Sequence, residues 1–165
     1  LHDGFDCVIR TGALPEDGVI ARPLGKLTMV NCASPHYLTR FGYPQSPDDL
    51  TSHAIVRYTP HLGVHPLGFE VASVNGVQWF KSGGMLTVNS SENYLAAGLA
   101  GLGIIQIPRI AVREALRAGR LIEVLPGYRA EPLSLSLVYP QRRELSRRVN
   151  LFMQWLAGVM RQYLD

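Results

Sequence analysis

Apolar residues along this chain recur in short runs whose period switches between that of a strand and that of a helix, with Ser, Pro and Gly marking the switches. Phe5 to Arg10 reads as a short strand, followed by a loop containing Gly12, Pro15 and Gly18, and Lys26 to Cys32 alternates into a second strand. Ser34-Pro35 then opens a helix, with the serine as N-cap, the proline at the first helical position, Tyr37, Leu38 and Phe41 as its apolar contacts, and Gly42 as its end. Ser46-Pro47-Asp48-Asp49-Leu50 repeats that device, so a second short helix is expected before the strand Ala54-Ile55-Val56-Arg57. Phe69-Glu70-Val71 and Val77-Gln78-Trp79-Phe80 flank Asn75-Gly76, which tolerates the positive φ of a tight primed turn, and predict a two-stranded hairpin extension with a polar rim.

The segment from Val88 to Pro108 is the most informative. Ser90 or Ser91 is a good N-cap, Glu92 sits where the positive end of a helix dipole favours an acid, and Gly101 and Gly103 can stop a small-residue helix before an apolar strand that closes at Pro108. Such a helix start presents N–H donors suited to a carboxylate or phosphate where strands of an open α/β sheet end. Downstream, a helix through Ile110, Val112, Ala115 and Leu116 is expected to stop at Gly119, and Leu121 to Leu125 to return as a strand. Leu133 to Tyr139 alternates as a half-buried strand does, and Ser146 caps a final helix whose Val149, Phe152, Met153, Leu156 and Met160 would pack on the sheet.

With 16 Lys+Arg against 13 Asp+Glu and 47% apolar residues, the composition is that of an ordinary globular domain able to bury a core. Arg142, Arg143, Arg147 and Arg148 cluster, but without the aromatic partners of a nucleic-acid site they read as solvated charges. Cys7 and Cys32 each lie in an apolar run with no Cys-x-x-Cys, which predicts two buried, reduced thiols and a reducing, cytoplasmic setting, while a pairing of the two stays open. No run of apolar residues is long enough to cross a membrane as a helix. His61 and His65 sit among Pro60, Gly63 and Pro66, which argues against a helical metal site, and no metal or cofactor is expected. Gly98-x-x-Gly101-x-Gly103 follows a helix instead of opening one, so a helix stop explains it better than a nucleotide loop. No nucleophile elbow, zinc-protease motif or carboxylate pair is present, and no enzymatic activity is expected.

These residues also carry a resemblance. Phe5 to Gly12, Pro23-Leu24-Gly25-Lys26-Leu27, Cys32-Ala33-Ser34-Pro35-His36-Tyr37-Leu38, Pro47 to His53, Ala97 to Ile104, Gly119 to Leu125 and Val138-Tyr139-Pro140 through Leu145-Ser146 to Phe152 resemble, in order, successive blocks of the effector-binding domain of LysR-type transcriptional regulators. The resemblance implies an α/β fold of the periplasmic-binding-protein-like type II class, with two lobes holding a small effector between them. Residues 1–27 and 134–165 would supply part of lobe one (regulatory subdomain I) and 28–133 lobe two (regulatory subdomain II), the first part of lobe one being missing. The chain starts at Leu1, not Met, and the winged helix-turn-helix, linker helix and first elements of lobe one are expected to precede it in a longer protein. That protein would contact DNA only through its N-terminal domain and act as a homodimer or homotetramer. A periplasmic solute-binding protein, or an amino-acid-sensing enzyme domain, of the same fold is the alternative.

At the family's cleft fall Arg10, Thr11 and Gly12 at the end of a strand, Ser34 at a crossover, Asn89, Ser90 and Ser91 at the helix mouth, and Gln106, Ile107 and Pro108 ending the facing strand. Family members that sense aromatic or other organic carboxylates fit such donors and one arginine. Structural roles stay open for each: Arg10 can pair with Asp6 or Glu16, Ser34 and Ser90 or Ser91 can be caps only, and Ile107 can be plain core.

Overall fold

The computed structural model describes residues 5–12, 18–59, 68–141 and 146–164, with the backbone alone at Met85. In chain order its elements are β1 (Val8–Thr11), β2 (Val19–Leu27), β3 (Met29–Ala33), α1 (Pro35–Phe41), a 3-10 turn (Pro47–Ser52), β4 (Ala54–Tyr58), β5 (Phe69–Ser73), β6 (Gly76–Phe80), β7 (Gly83–Val88), α2 (Ser91–Leu99), β8 (Ile105–Pro108), α3 (Arg109–Arg117), β9 (Ile122–Glu123), β10 (Leu133–Pro140), α4 (Arg147–Met160) and a second 3-10 turn (Arg161–Tyr163). They form two units, one of Leu1–Thr28 with Pro132–Asp165 and one of Met29–Glu131.

The first unit is a three-stranded antiparallel sheet in the order β1-β10-β2. β10 pairs Val138 with Val8 on one side and Ala21 on the other, and its register to β2 shifts between Leu135 and Ser136. β2 runs from Val19 to Leu27, where the sequence pattern predicts a loop containing Gly18 and a strand only from Lys26. Pro23 and Gly25 hid it; both are tolerated because β2 is an edge strand, bulged at that register shift, with Gly25 at φ 154°. The expected single strand from Lys26 to Cys32 is in fact two, broken at Thr28. β10 is buried from Leu135 through Val138, so its alternation does not mark one wet face as expected. On α4, capped by Ser146 (Oγ accepting the Val149 N–H, 3.3 Å), only Met153 is buried; Phe152 is exposed and leans on Trp155. Arg142, Arg143 and Leu145 lie outside the described residues.

The second unit has a core on both faces of short strands. β3 lies between β8 and β9, β4 runs parallel to β7, and Val56 N–H donates to Ile104 O (3.0 Å) where β4 meets the segment leading into β8. On one face Val30, Cys32, Val56, Ile105 and Ile107 pack under Tyr94 and Ala97 of α2 and Val112 and Ala115 of α3. On the other, Ala33, Ile55 and Ile104 pack with Tyr37 and Leu38 of α1, Leu50, and Phe69 and Val71 of β5.

Local chemistry explains the helix ends. Ser34 Oγ accepts the Tyr37 N–H (3.2 Å), and Gly42, at φ 80°, donates its N–H to Leu38 O (2.9 Å). The Ser46-Pro47 repeat yields the expected short helix, of 3-10 type; Asp49 Oδ2 accepts the N–H groups of Gln45 (2.8 Å) and Ser46 (3.0 Å), which hold its carboxyl below the usual range. The hairpin forms, with Val74-Asn75 at its tip and Ser73 opposite Gly76. Only Gly76 of the expected Asn-Gly pair takes a positive φ (103°), so the turn is not a primed one. β9 stops at Glu123 where a strand to Leu125 was expected, because Leu125 adopts φ 48°.

Candidate functional site

α2 starts as its sequence dictates. Ser90 is the N-cap, its Oγ accepting the Asn93 N–H (3.4 Å), and Ser91 is the first helical residue. Glu92 folds back so that Ser90 Oγ donates to its Oε2 (2.7 Å) and Ser91 Oγ lies 3.4 Å from the same atom. These bonds, that from Ser90 foremost, hold the Glu92 carboxyl below its ordinary range. The helix mouth therefore already holds a carboxylate of the chain's own, and an incoming acid must compete with it for the hydroxyls.

One turn into α2, Tyr94 fixes the helix to β8. Its phenol accepts the Gln106 N–H (2.8 Å) and donates to Gln106 O (3.3 Å), and burial pushes its pKa up to about 12. Gln106 is then spent on the fold: Nε2 donates to Asn31 Oδ1 (2.9 Å) and Glu70 O (2.8 Å), while Oε1 accepts the Glu70 N–H (3.3 Å). Asn31, fully buried, completes the chain by donating to Leu125 O (3.2 Å) and Tyr128 O (2.9 Å). This amide pair ties β5 and the turn after β9 to the centre of the β8-β3-β9 sheet.

The remaining expected residues divide clearly. Ile107 is buried in the core, and Pro108, half-buried, pairs with Met29 and leads into α3. Ser34 is buried with its hydroxyl serving α1, and Asn89 is exposed just before the α2 cap. In the first unit Arg10 and Thr11 are exposed at the end of β1, opposite Ser136 and Leu135, and Gly12 (φ 78°) donates its N–H to Ser134 O (3.0 Å). Arg10 makes no ion pair with Asp6; Glu16, like Pro15, His61 and His65, lies outside the described residues. The structure thus brings Ser90, Ser91, Glu92, Tyr94 and Gln106 together in the second unit. Sequence reasoning gave Tyr94 and Asn31 no role; the one signal for Asn31 was an amide inside an otherwise apolar strand.

Neither cysteine is disulfide-bonded. Cys32 is fully buried opposite Glu123, and burial, helped by that carboxylate, pushes its thiol up to about 12. Cys7 is only half-buried, contrary to expectation. Among the described residues no cluster of His, Cys, Asp or Glu could hold a metal, and no helix is long and apolar enough to cross a membrane.

This mixed α/β fold is of the periplasmic-binding-protein-like type II class, as comparison with known proteins bears out. The LysR substrate binding domain family matches residues 1–161, and the chain belongs to that family. It is 98% identical over 165 residues to the HTH-type transcriptional regulator YhjC of Escherichia coli strain K12, covering all of this chain and 55% of that protein. It is 35% identical over 158 residues to an HTH-type transcriptional repressor of Pseudomonas aeruginosa strain UCBPP-PA14, covering 94% of this chain and 49% of that one. Its fold is similar to the regulatory domain of CrgA, a LysR-type transcriptional regulator from Neisseria meningitidis, at a TM-score of 0.81 and 25% identity, over 96% of this chain and 76% of that one. The chain spans about half the length of these curated relatives. Both relatives carry the name of an HTH-type transcriptional regulator or repressor, in line with the regulator reading over the solute-binding alternative.

Proposed function

We propose that this chain senses a small organic acid, aromatic acids among them, for a cytoplasmic LysR-type regulator that binds DNA through a separate N-terminal domain and works as a homodimer or homotetramer. Membership of the substrate-binding family over residues 1–161 is the observation that carries the reading. Two features support the acid class: Arg10 is exposed with no carboxylate paired to it among the described residues, and the α2 mouth presents two serine hydroxyls that already bind a carboxylate, that of Glu92. Arg10, Thr11, Gly12, Asn89, Ser90 and Ser91 are the proposed contacts, with Ser34 positioning the start of α1 and Gln106, Ile107 and Pro108 shaping the site through the backbone of β8.

The mechanism is a population shift. The effector favours one arrangement of the domain, and a coupling of about 1–3 kcal/mol changes how the full-length oligomer engages DNA, with no bond made or broken. A thermal-shift screen against small carboxylates tests it. Saturable stabilisation by one chemical class, lost in Arg10→Ala and Ser91→Ala, is expected. Unaltered melting with every acid at millimolar concentration, or turnover of a bound acid, overturns it.

A further inference from the structure

Away from the α2 mouth, the second unit holds a cation whose donors are not all used. Arg57 Nη2 donates to Ser82 O (2.9 Å), yet Arg57 Nε and Ser82 Oγ are both buried with no hydrogen-bond partner. The guanidinium lies flat on β7: a Cβ at Gly84 would stand 2.7 Å from Cζ and 2.8 Å from Nε. Gly84 has no positive φ, so what its missing side chain provides is room for that group.

Among the described residues no carboxylate forms an ion pair with Arg57. Between Asp49 and Glu92 the chain carries a single acid, Glu70. Its carboxylate is engaged elsewhere, Oε1 accepting the Glu131 N–H (3.0 Å), and the ion pairs among the described residues all belong to Glu123. Lys81, exposed and adjacent to Ser82 in the chain, adds a second positive charge to this stretch. A half-buried cation with unspent donors and no counter-charge is costly to keep, and an anion offsets that cost. Arginine's planar fork suits a carboxylate or phosphate edge.

We propose that Arg57, Ser82 and Lys81 bind a small oxyanion, the carboxylate or phosphate group of a small molecule, on the face of the β4–β7 sheet turned away from α2. Val56 packs with Tyr94, and the Tyr58 ring lies 5.7 Å from that of Tyr94, so these two residues face α2; Ile55 packs in the opposite cluster, and strand alternation puts Arg57 on its side. The anion meets the outer edge of the guanidinium first, and turning of the Ser82 side chain then brings its hydroxyl and the Arg57 Nε–H into play.

Trp79, two residues before Lys81, is a reporter. In a Trp155→Phe background, inorganic phosphate and acetate are titrated separately against chloride at constant ionic strength, following tryptophan emission. A saturable change in at least one arm is expected; the arm that saturates names the group. Its midpoint should rise at least tenfold in Arg57→Lys, which keeps the charge and loses the fork, and in Ser82→Ala, and should be unmoved in Arg10→Ala and Ser91→Ala. Should Arg57→Lys fail to fold by circular dichroism, Ser82→Ala decides. No saturable change in either arm, or parental midpoints in Arg57→Lys and Ser82→Ala, overturns the proposal; an Arg10→Ala effect would instead assign the anion to the effector site.

Discussion

Gly98 provides a sharp test of how α2 is seated. It lies inside a helix, where replacing glycine by alanine ordinarily stabilises by about 1 kcal/mol through backbone entropy. Here the added Cβ would stand 2.6 Å from Ile105 Cδ1, 3.0 Å from Cγ1 and 3.2 Å from Cγ2. The terminal methyl could swing, but Cγ1 and Cγ2 are tied to the backbone of β8, and Ile105 is fully buried in the core. Overpacking of that kind costs roughly 1–3 kcal/mol, enough to reverse the helix gain and leave Gly98→Ala less stable by about 1 kcal/mol. In a chain of this size that is about 2–4 °C in Tm. Ile105→Val removes the closest atom: alone it should cost about 1 kcal/mol, and on the Gly98→Ala background it should cost markedly less, the difference being the coupling between the two positions. Urea unfolding of the four proteins of this cycle measures it. A Gly98→Ala variant more stable than the parent would refute the reasoning, because helix propensity, not contact with β8, would then govern the site.

Three further outcomes are expected. Tyr94→Phe keeps the ring but strands the part-buried Gln106 N–H, and should cost about 1–3 kcal/mol in urea unfolding; a loss within error of zero would mean that the phenol does not hold α2 to β8. His53 is buried against Tyr37, and burial, only partly opposed by Asp49, lowers its pKa below 6.5. The unfolded chain thus binds the proton more readily, so stability falls as pH drops below about 6.5 toward the folded value; His53→Gln should flatten the urea midpoint between pH 7.5 and 5.5, and an unchanged slope would contradict it. A disulfide exchange reagent at pH 8 should label half-buried Cys7 in the native protein and Cys32 only after denaturation; rapid native labelling of Cys32 would contradict its burial.

What the sequence disclosed depended on how local the cause was. α1 was legible because Ser34, Pro35 and Gly42 act within one turn of their own position. β2 was not, since Pro23 and Gly25 look like breakers until the bulge and the sheet edge that accept them are known. The α2 start was legible to the residue pair, yet Gln106 was expected at a ligand and turns out to spend its amide on Asn31 and Glu70, distant partners that no pattern near Gln106 announces. On α4 the capped helix forms as its spacing predicts, but of its expected packing positions only Met153 is buried, and Phe152 stays exposed. The cation of Arg57 was read simply as part of a strand, because only tertiary structure shows that no acid reaches it.

The first unit is made from both ends of the chain, with the whole of the second threaded between β2 and β10. During synthesis, β1 and β2 emerge long before the strand that joins them, and β10 must find both after more than a hundred residues have intervened. Met29–Glu131, by contrast, has every strand partner within its own stretch and can close as soon as it clears the ribosome. The second unit is therefore the early folder, and the first closes late, limited by loop closure.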